Sequence, residues 1–215
     1  MVVVAIILFI IALLLPIFSS VRAKARQSNC ASNLRQIYVA WKIYLEDSNG
    51  YPPSLSLLVT KSNAGVFSCP ADPWQGFNVG ISAMSGHPVS YFYPGFELQD
   101  LRKREQLEKA DANHGIVFCV LHSAYDYNKI EDRYNRFMNS PLLYANSTFP
   151  YPPAFDGILL RLRIDGHVQF AKVFPRCYKL QSGVTLIEIH PWYLLTDSTP
   201  CLWCDPNREE VPCTQ

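Results

Sequence analysis

The chain has 215 residues and a formal net charge of +1, and this balance gives no support for a nucleic-acid surface or a polyanionic partner. Charged residues make up 17% and aromatic residues 13% of the chain, which favours an ordered, loop-rich domain over a disordered one. Seven cysteines are many for a reducing compartment, so the composition favours an extracytoplasmic location.

The first predicted element is a long helix with two different halves. Residues 1–18 carry no charge, and eighteen helical residues span about 27 Å, close to the hydrocarbon thickness of a bilayer. Residues 1–20 are therefore predicted to lie in lipid or in the core of an assembly, with a bend or local melting at Pro16. The residues predicted to form this core are Val2, Val3, Val4, Ile6, Ile7, Leu8, Phe9, Ile10, Ile11, Leu13, Leu14, Leu15 and Pro16.

The second half of the helix, residues 21–50, is basic and amphipathic. Its apolar side chains recur at i, i+3, i+4, i+7 and i+11, which places them on one face. Gly50 is predicted to cap the helix, because Pro52-Pro53 prevents its continuation. The face predicted to pack on a globular head consists of Leu34, Ile37, Tyr38, Trp41 and Leu45.

Residues 51–215 are predicted to form that head, an α/β domain with many loops. Short apolar runs separated by glycines and prolines indicate brief strands and turns. The predicted elements are a short element at 55–59, a brief strand at 89–93 in a loop-like region at 70–95, a charged surface helix at 97–109, a buried strand at 115–121, a short helix at 125–139, a proline-rich surface loop at 140–156 and a strand at 183–189. Asn146 in that loop begins an N-glycosylation-type sequon, whose alternative interpretation is a polar turn.

The clearest hairpin in the sequence runs from residue 158 to residue 173. Alternating apolar and polar residues flank Asp165-Gly166, a signal for a type I′ turn. Leucines alternate with Arg161 and Arg163, which predicts an antiparallel sheet that is buried on one face only. The apolar helix face at 34–41 is the expected cover for the buried face.

The cysteines predict disulfides, although the sequence does not give their connectivity. Cys30 and Cys69 are an expected pair, because the segment around Cys69 is expected to fold back on the helix. Cys201, Cys204 and Cys213 crowd the tail, where a further bridge would staple a C-terminal loop. The alternative is that several cysteines are free, buried thiols that pack as small apolar residues.

Three other groups of residues have the chemistry of a metal or acid–base site. Each is weighed against an ordinary structural role, because none has the full spacing of a known site. The groups are Cys201, Cys204, Cys213 and His190 for zinc, His114, His122, Asp111 and Asp126 for metal or acid–base chemistry, and Asp47 with Asp72 for calcium. No G-x-S-x-G, P-loop or H-E-x-x-H motif occurs, so we predict no enzyme, cofactor or metal site.

Several motifs follow one another in a familiar order. They are Leu13-Leu14-Leu15-Pro16, the basic run 22–26, Cys30, Asn33-Leu34-Arg35-Gln36-Ile37, then Tyr44, Asp47, Gly50 and Pro52-Pro53, and the later segments 67–73 (FSCPADP) and 164–170 (IDGHVQF). Over these segments the chain resembles type IV pilin-like proteins and type II secretion pseudopilins. The resemblance is to the bacterial branch with a C-terminal H-x9-D-G signature.

This resemblance implies an α+β fold, in which a long N-terminal helix packs on a small antiparallel sheet with a loop-rich head. It also implies a structural subunit that waits in the inner membrane and then joins a homopolymeric or mixed filament outside the cytoplasm. The implied partners are other copies of the chain, a prepilin peptidase and the pilus or secretion assembly platform. N-terminal cleavage and methylation belong to the same family pattern.

Two features depart from the family pattern. Phe155 stands where the H-x9-D-G signature has histidine. Aligning Pro16 with the family proline places Met1 at about the seventh mature position, so either a leader with Gly and F-T-L-I-E lies upstream or this subunit dispenses with it. Topology is also open, because Arg22, Lys24 and Arg26 directly after the apolar run predict a cytoplasmic head, which the cysteine content opposes.

Two other functions remain as alternatives. The first is a membrane-anchored extracytoplasmic binding protein, similar to a minor pilin or adhesin, that does not polymerise. Its aromatic loops at 91–93 and 144–155 would hold a ligand. The second is an anchored enzyme that uses the histidines or cysteines.

Overall fold

The structure is a computed structural model that describes residues 2–72, 76, 79–93, 95, 97–119, 121–122, 144–145, 158–172, 175–179, 185–189 and 209–211. The predicted α+β class is confirmed, with a long N-terminal helix and a small antiparallel sheet. The described helices are α1 (Val2–Ser48), α2 (Val79–Ser85) and α3 (Leu101–Glu108). The described strands are β1 (Gly115–Cys119), β2 (Tyr144–Ala145), β3 (Ile158–Arg163), β4 (Val168–Lys172), β5 (Pro175–Lys179), β6 (Thr185–Ile189) and β7 (Glu209–Val211).

Helix α1 is continuous from its first residue to its last. It passes through Pro16 without an interruption, so the predicted local melting there is wrong. It ends at Ser48 because Asn49 has a φ of 49°, the left-handed conformation that stops a helix. This conformation falls on Asn49 and not on Gly50, the predicted cap. Among the described residues, no helix has an apolar stretch long enough to cross a bilayer.

The two halves of α1 have different surroundings. The first half leaves large apolar side chains in solvent, and the first fully buried side chain described along the helix is Cys30. From there onward, one face packs on the head. Leu34, Ile37 and Trp41 are buried, and Tyr38 and Leu45 are partly buried against the same core.

A three-stranded antiparallel sheet of order β1-β3-β4 forms the centre of the head. Helix α1 packs against β3 and β4, as the apolar stripe predicts. The prediction of a sheet buried on one face only is wrong, because Arg161 is only 1% exposed between buried leucines. Arg161 lies opposite Gln169 in the β3–β4 register, and a Gln169 amide turned to present its oxygen accepts from the guanidinium at 2.9 Å. A hydrogen-bond partner on the opposite strand lowers the cost of burying the Arg161 guanidinium, which the alternating pattern assigns to solvent.

The β3–β4 hairpin forms at the predicted place, but its turn is not type I′. A type I′ turn needs a positive φ at both central residues. Gly166 has a φ of 84°, but the φ of Asp165 is not positive. Gly166 N–H donates to Arg163 O at 3.0 Å, and Arg163 N–H donates to His167 O at 2.9 Å. This pattern is a three-residue loop that ends in a left-handed glycine.

Other head elements differ from their predictions in detail. Helix α2 was not predicted, and the segment 89–93 forms only an isolated bridge between Phe92 and Phe118. The charged segment at 97–109 is a 3-10 turn followed by α3, capped by the Asp100 carboxylate. A second sheet has the order β2-β6-β5-β7, so residues 144–145 of the predicted proline-rich loop are a strand.

The burial of Tyr93 predicts how stability depends on pH. Trp41 Nε1–H donates to the Tyr93 hydroxyl at 3.2 Å, and burial raises the Tyr93 pKa well above its ordinary value. The stabilisation is complete below the unfolded-state pKa and is lost as pH rises, because only the unfolded chain releases the proton. Above about pH 10, we expect Tyr93 to contribute a fall of about 1.4 kcal/mol per pH unit in the free energy of unfolding. Denaturant titrations at several alkaline pH values should show a shallower fall for Tyr93→Phe, and equal slopes would contradict the assignment.

Candidate metal centre

Three cysteines and one histidine converge where α1 meets the head. The ligand atoms of Cys30, Cys69, Cys119 and His122 all lie within 4.8 Å of one another. The three cysteines are buried and the histidine is partly buried. In the described part of the chain, this is the one place where three or more metal-ligating side chains come together.

Helix α1 supplies Cys30. This residue lies four positions before Leu34 on the head-facing side, so the same periodicity that buries the leucine directs the cysteine inward. The Tyr91 hydroxyl donates a hydrogen bond to Cys30 Sγ at 3.5 Å. One sulfur is therefore fixed to the helix that also carries the apolar N-terminal half.

The loop after the 3-10 helix Ala64–Phe67 supplies Cys69. Asn33 of α1 donates to Ser68 O at 3.0 Å, which holds this loop against the helix. Cys69 N–H donates to Ser90 Oγ at 2.9 Å, and Asp72 N–H closes a turn on Cys69 O at 2.9 Å. Within that turn, Ala71 N–H donates to Cys69 Sγ at 3.4 Å.

The end of β1 supplies the remaining two groups. Cys119 is the last residue of the strand, and His122 follows in the turn after it. His122 Nε2 lies 3.3 Å from Cys69 Sγ, so the ring reaches across from β1 to the loop. The stacked rings of Phe92 and Phe118, 4.8 Å apart, pack beside this end of β1.

The neighbouring groups lower the pKa of the Cys69 thiol. Hydrogen bonds from the Cys119 and Cys30 thiols hold the pKa of Cys69 well below its ordinary value, and His122 acts in the same direction. Burial raises the pKa of the Cys119 thiol. Three sulfurs and one imidazole nitrogen within 4.8 Å of one another are a set of donors suited to a soft or borderline cation.

The predicted Cys30–Cys69 disulfide is corrected by this geometry. The fold does bring the two residues together, but both are free thiols, as is Cys119. Cys119 and His122 lie beside the two thiols, so Cys30 and Cys69 belong to a cluster of four side chains and are not an isolated pair. The alternative of buried free thiols therefore describes these three cysteines.

The other predicted site residues lie elsewhere or outside the described residues. His114 and His122 stand at opposite ends of β1, and the His114 ring contacts Gly115 O at 2.9 Å. The Asp72 carboxylate accepts from Ser90 Oγ at 2.6 Å and Gly76 N–H at 2.9 Å, while Asp47 is exposed on α1. Outside the described residues lie Asp126, Asn146, His190, Cys201, Cys204 and Cys213.

One local sequence pattern points to this cluster. Cys119 and His122 form a C-x-x-H pair, the tight spacing with which a turn brings two ligands to one ion. The sequence alone predicts Cys119 in a strand and groups His122 with His114, so it does not join the two residues of this pair. The contributions of Cys30 and Cys69 come from segments far apart in the chain, which only the fold brings together.

In comparisons with known proteins, no family model, curated protein or solved structure matches this chain.

Proposed function

We propose that this protein is a membrane-anchored structural subunit that assembles into a pilus-like filament through the first half of α1. The observation that carries the proposal is the exposure of large apolar side chains along that half. Val3, Val4, Phe9, Leu15 and Phe18 are each 58–68% exposed. An uncharged helix with this much apolar surface requires a lipid or protein partner.

The packing of the second half supports the same function. At 1.5 Å per residue, the helix before Cys30 extends for about 40 Å. Beyond it, Leu34, Ile37 and Trp41 are buried against the head. One continuous helix thus joins an apolar first half to a folded domain, as the resemblance to pilin-like proteins also implies. Burying the rods of neighbouring subunits together would remove their apolar surface from water.

The experiment compares two double variants of the full-length protein in bacterial cells that carry a pilus or pseudopilus assembly system. Phe9→Asp with Leu15→Asp places two charges on exposed positions of the apolar half. We expect the variant to leave the carbonate-washed membrane fraction and to form no filaments by electron microscopy. The physical reason is that a carboxylate on a helix half that enters lipid costs up to about 2.5–3.5 kcal/mol.

The matched control places the same charges in the second half. Val39 and Ile43 are 57% and 53% exposed on the same helix, so Val39→Asp with Ile43→Asp tests the charge without touching the apolar half. This control should stay in the membrane fraction. Equal membrane retention and filament formation in both variants would overturn the proposal. A wild-type protein that stays monomeric in the membrane and binds a specific ligand would favour the non-polymerising binding protein.

A further inference from the structure

We propose that Cys30, Cys69, Cys119 and His122 bind one structural zinc ion that fastens α1 to the head. The donors are three sulfurs and one imidazole nitrogen, the composition of a closed Cys3His site. The inference is independent of filament assembly, since it concerns the integrity of the head.

The geometry is close to that of a tetrahedral site. Zinc lies about 2.3 Å from sulfur and about 2.0–2.1 Å from nitrogen, so the ligand atoms of a tetrahedral site are about 3.5–3.8 Å apart. The four atoms here lie within 4.8 Å of one another, and His122 Nε2 is 3.3 Å from Cys69 Sγ. Side-chain rotations that close the group by about 1 Å would complete the coordination shell.

Hydrogen-bond donors already point at two of the sulfurs. The Tyr91 hydroxyl donates to Cys30 Sγ and Ala71 N–H donates to Cys69 Sγ. Three thiolates and a neutral histidine leave a zinc site with one net negative charge, which such donors stabilise. Tyr91 is fully buried, so its hydroxyl depends on partners inside the protein.

The arrangement fits an ion better than a disulfide. A disulfide would use two of the sulfurs. The third thiol and the imidazole would then take no part in the bond. The four groups instead come from three separate segments: α1, the loop at 68–72 and the end of β1. One ion would join all three, whereas one disulfide could join only two.

Zinc is the ion that the donor set favours. Thiolate-rich sites select zinc, copper(I) or iron–sulfur clusters, and a four-coordinate site with three sulfurs and one nitrogen is a standard structural zinc arrangement. With all four positions filled by protein, no position remains for a substrate. The site is therefore structural, and its loss should loosen α1 from the head.

The first measurement uses the full-length protein purified in detergent without chelators. Mass spectrometry of the metal content should give about one zinc per chain. Cys119→Ser and His122→Ala should each reduce bound zinc by more than about tenfold, and Tyr91→Phe should weaken zinc affinity by about tenfold. Circular dichroism checks that each variant keeps its helix content.

Two controls separate this site from the remaining cysteines and histidines. Cys204→Ser removes a cysteine sulfur of the C-terminal tail, and His167→Ala removes an exposed imidazole in the β3–β4 turn. Both should retain about one zinc per chain. Loss of zinc in Cys204→Ser together with its retention in Cys119→Ser would place the ion in the tail and overturn the proposal.

A second measurement on the wild-type protein remains decisive if a variant fails to fold. Bound zinc should protect Cys30, Cys69 and Cys119 from alkylation, and a strong chelator should expose all three, as identified by peptide mass spectrometry. Cobalt(II) in place of zinc should give the visible absorption of a tetrahedral thiolate site. A Cys30–Cys69 or Cys69–Cys119 disulfide in metal-free wild-type protein, or another metal at these residues, would overturn the proposal.

Discussion

Replacing Trp41 by alanine is expected to lower the free energy of unfolding of the head by about 3–5 kcal/mol. Trp41 is 2% exposed and lies at the centre of the contact between α1 and the head. Its ring packs near the rings of Tyr38 and Tyr51, with centroids 6.0 and 5.6 Å away. Alanine would leave a cavity and would also remove the indole hydrogen bond to Tyr93.

Denaturant unfolding of the full-length protein in detergent, followed by circular dichroism, measures this effect. Trp41→Phe should have a smaller effect, because it keeps an aromatic ring and loses the indole N–H. Val39→Ala is the matched control, since Val39 is 57% exposed on the same helix and its truncation should change stability by less than about 0.5 kcal/mol. A Trp41→Ala loss as small as that of Val39→Ala would show that α1 does not depend on this contact.

Replacing Gly95 by alanine is expected to destabilise the head by about 1–3 kcal/mol or more. An alanine Cβ at this position would overlap the backbone carbonyl of Pro53 and would lie 2.8 Å from the Tyr93 ring. The carbonyl belongs to the segment that leaves α1, so it can move only if that segment shifts. Gln99 Nε2 donates to Gly95 O at 3.2 Å and to Tyr51 O at 3.3 Å, which holds the same arrangement.

The same unfolding measurement applies to Gly95→Ala. Gly65→Ala is the matched control, because Gly65 lies in a 3-10 helix and a Cβ there would have no atom within 4 Å. That variant should be neutral or slightly stabilised, since alanine restricts the unfolded chain. If both glycine variants unfolded at the same denaturant concentration, the close approach of the Pro53 carbonyl to Gly95 would not constrain the fold.

The two proposals assign different tasks to the two halves of α1. The first half carries exposed apolar side chains and would enter lipid or the filament core. The second half carries Cys30, Leu34 and Trp41 into the head, where the zinc ion and the aromatic core would hold it.

Local patterns in the sequence predict much of the fold. The spacing of Leu34, Ile37 and Trp41 predicts the buried face of α1, because a helix returns to the same side every three to four residues. The alternation around Asp165-Gly166 predicts the β3–β4 hairpin, because both strands and the turn are contiguous. Each of these features depends on neighbours in the chain.

Contacts between distant segments had to come from the tertiary structure. Arg161 is buried although alternation assigns it to solvent, and Gln169 lies opposite it on the neighbouring strand. Cys30, Cys69 and Cys119 meet His122 because α1, a loop and the end of β1 cross at one point. Sequence spacing can indicate a C-x-x-H pair or a cysteine on a helix face. Whether the thiols and the imidazole form a disulfide, bind an ion or do neither depends on the distances between their atoms, and tertiary packing determines those distances.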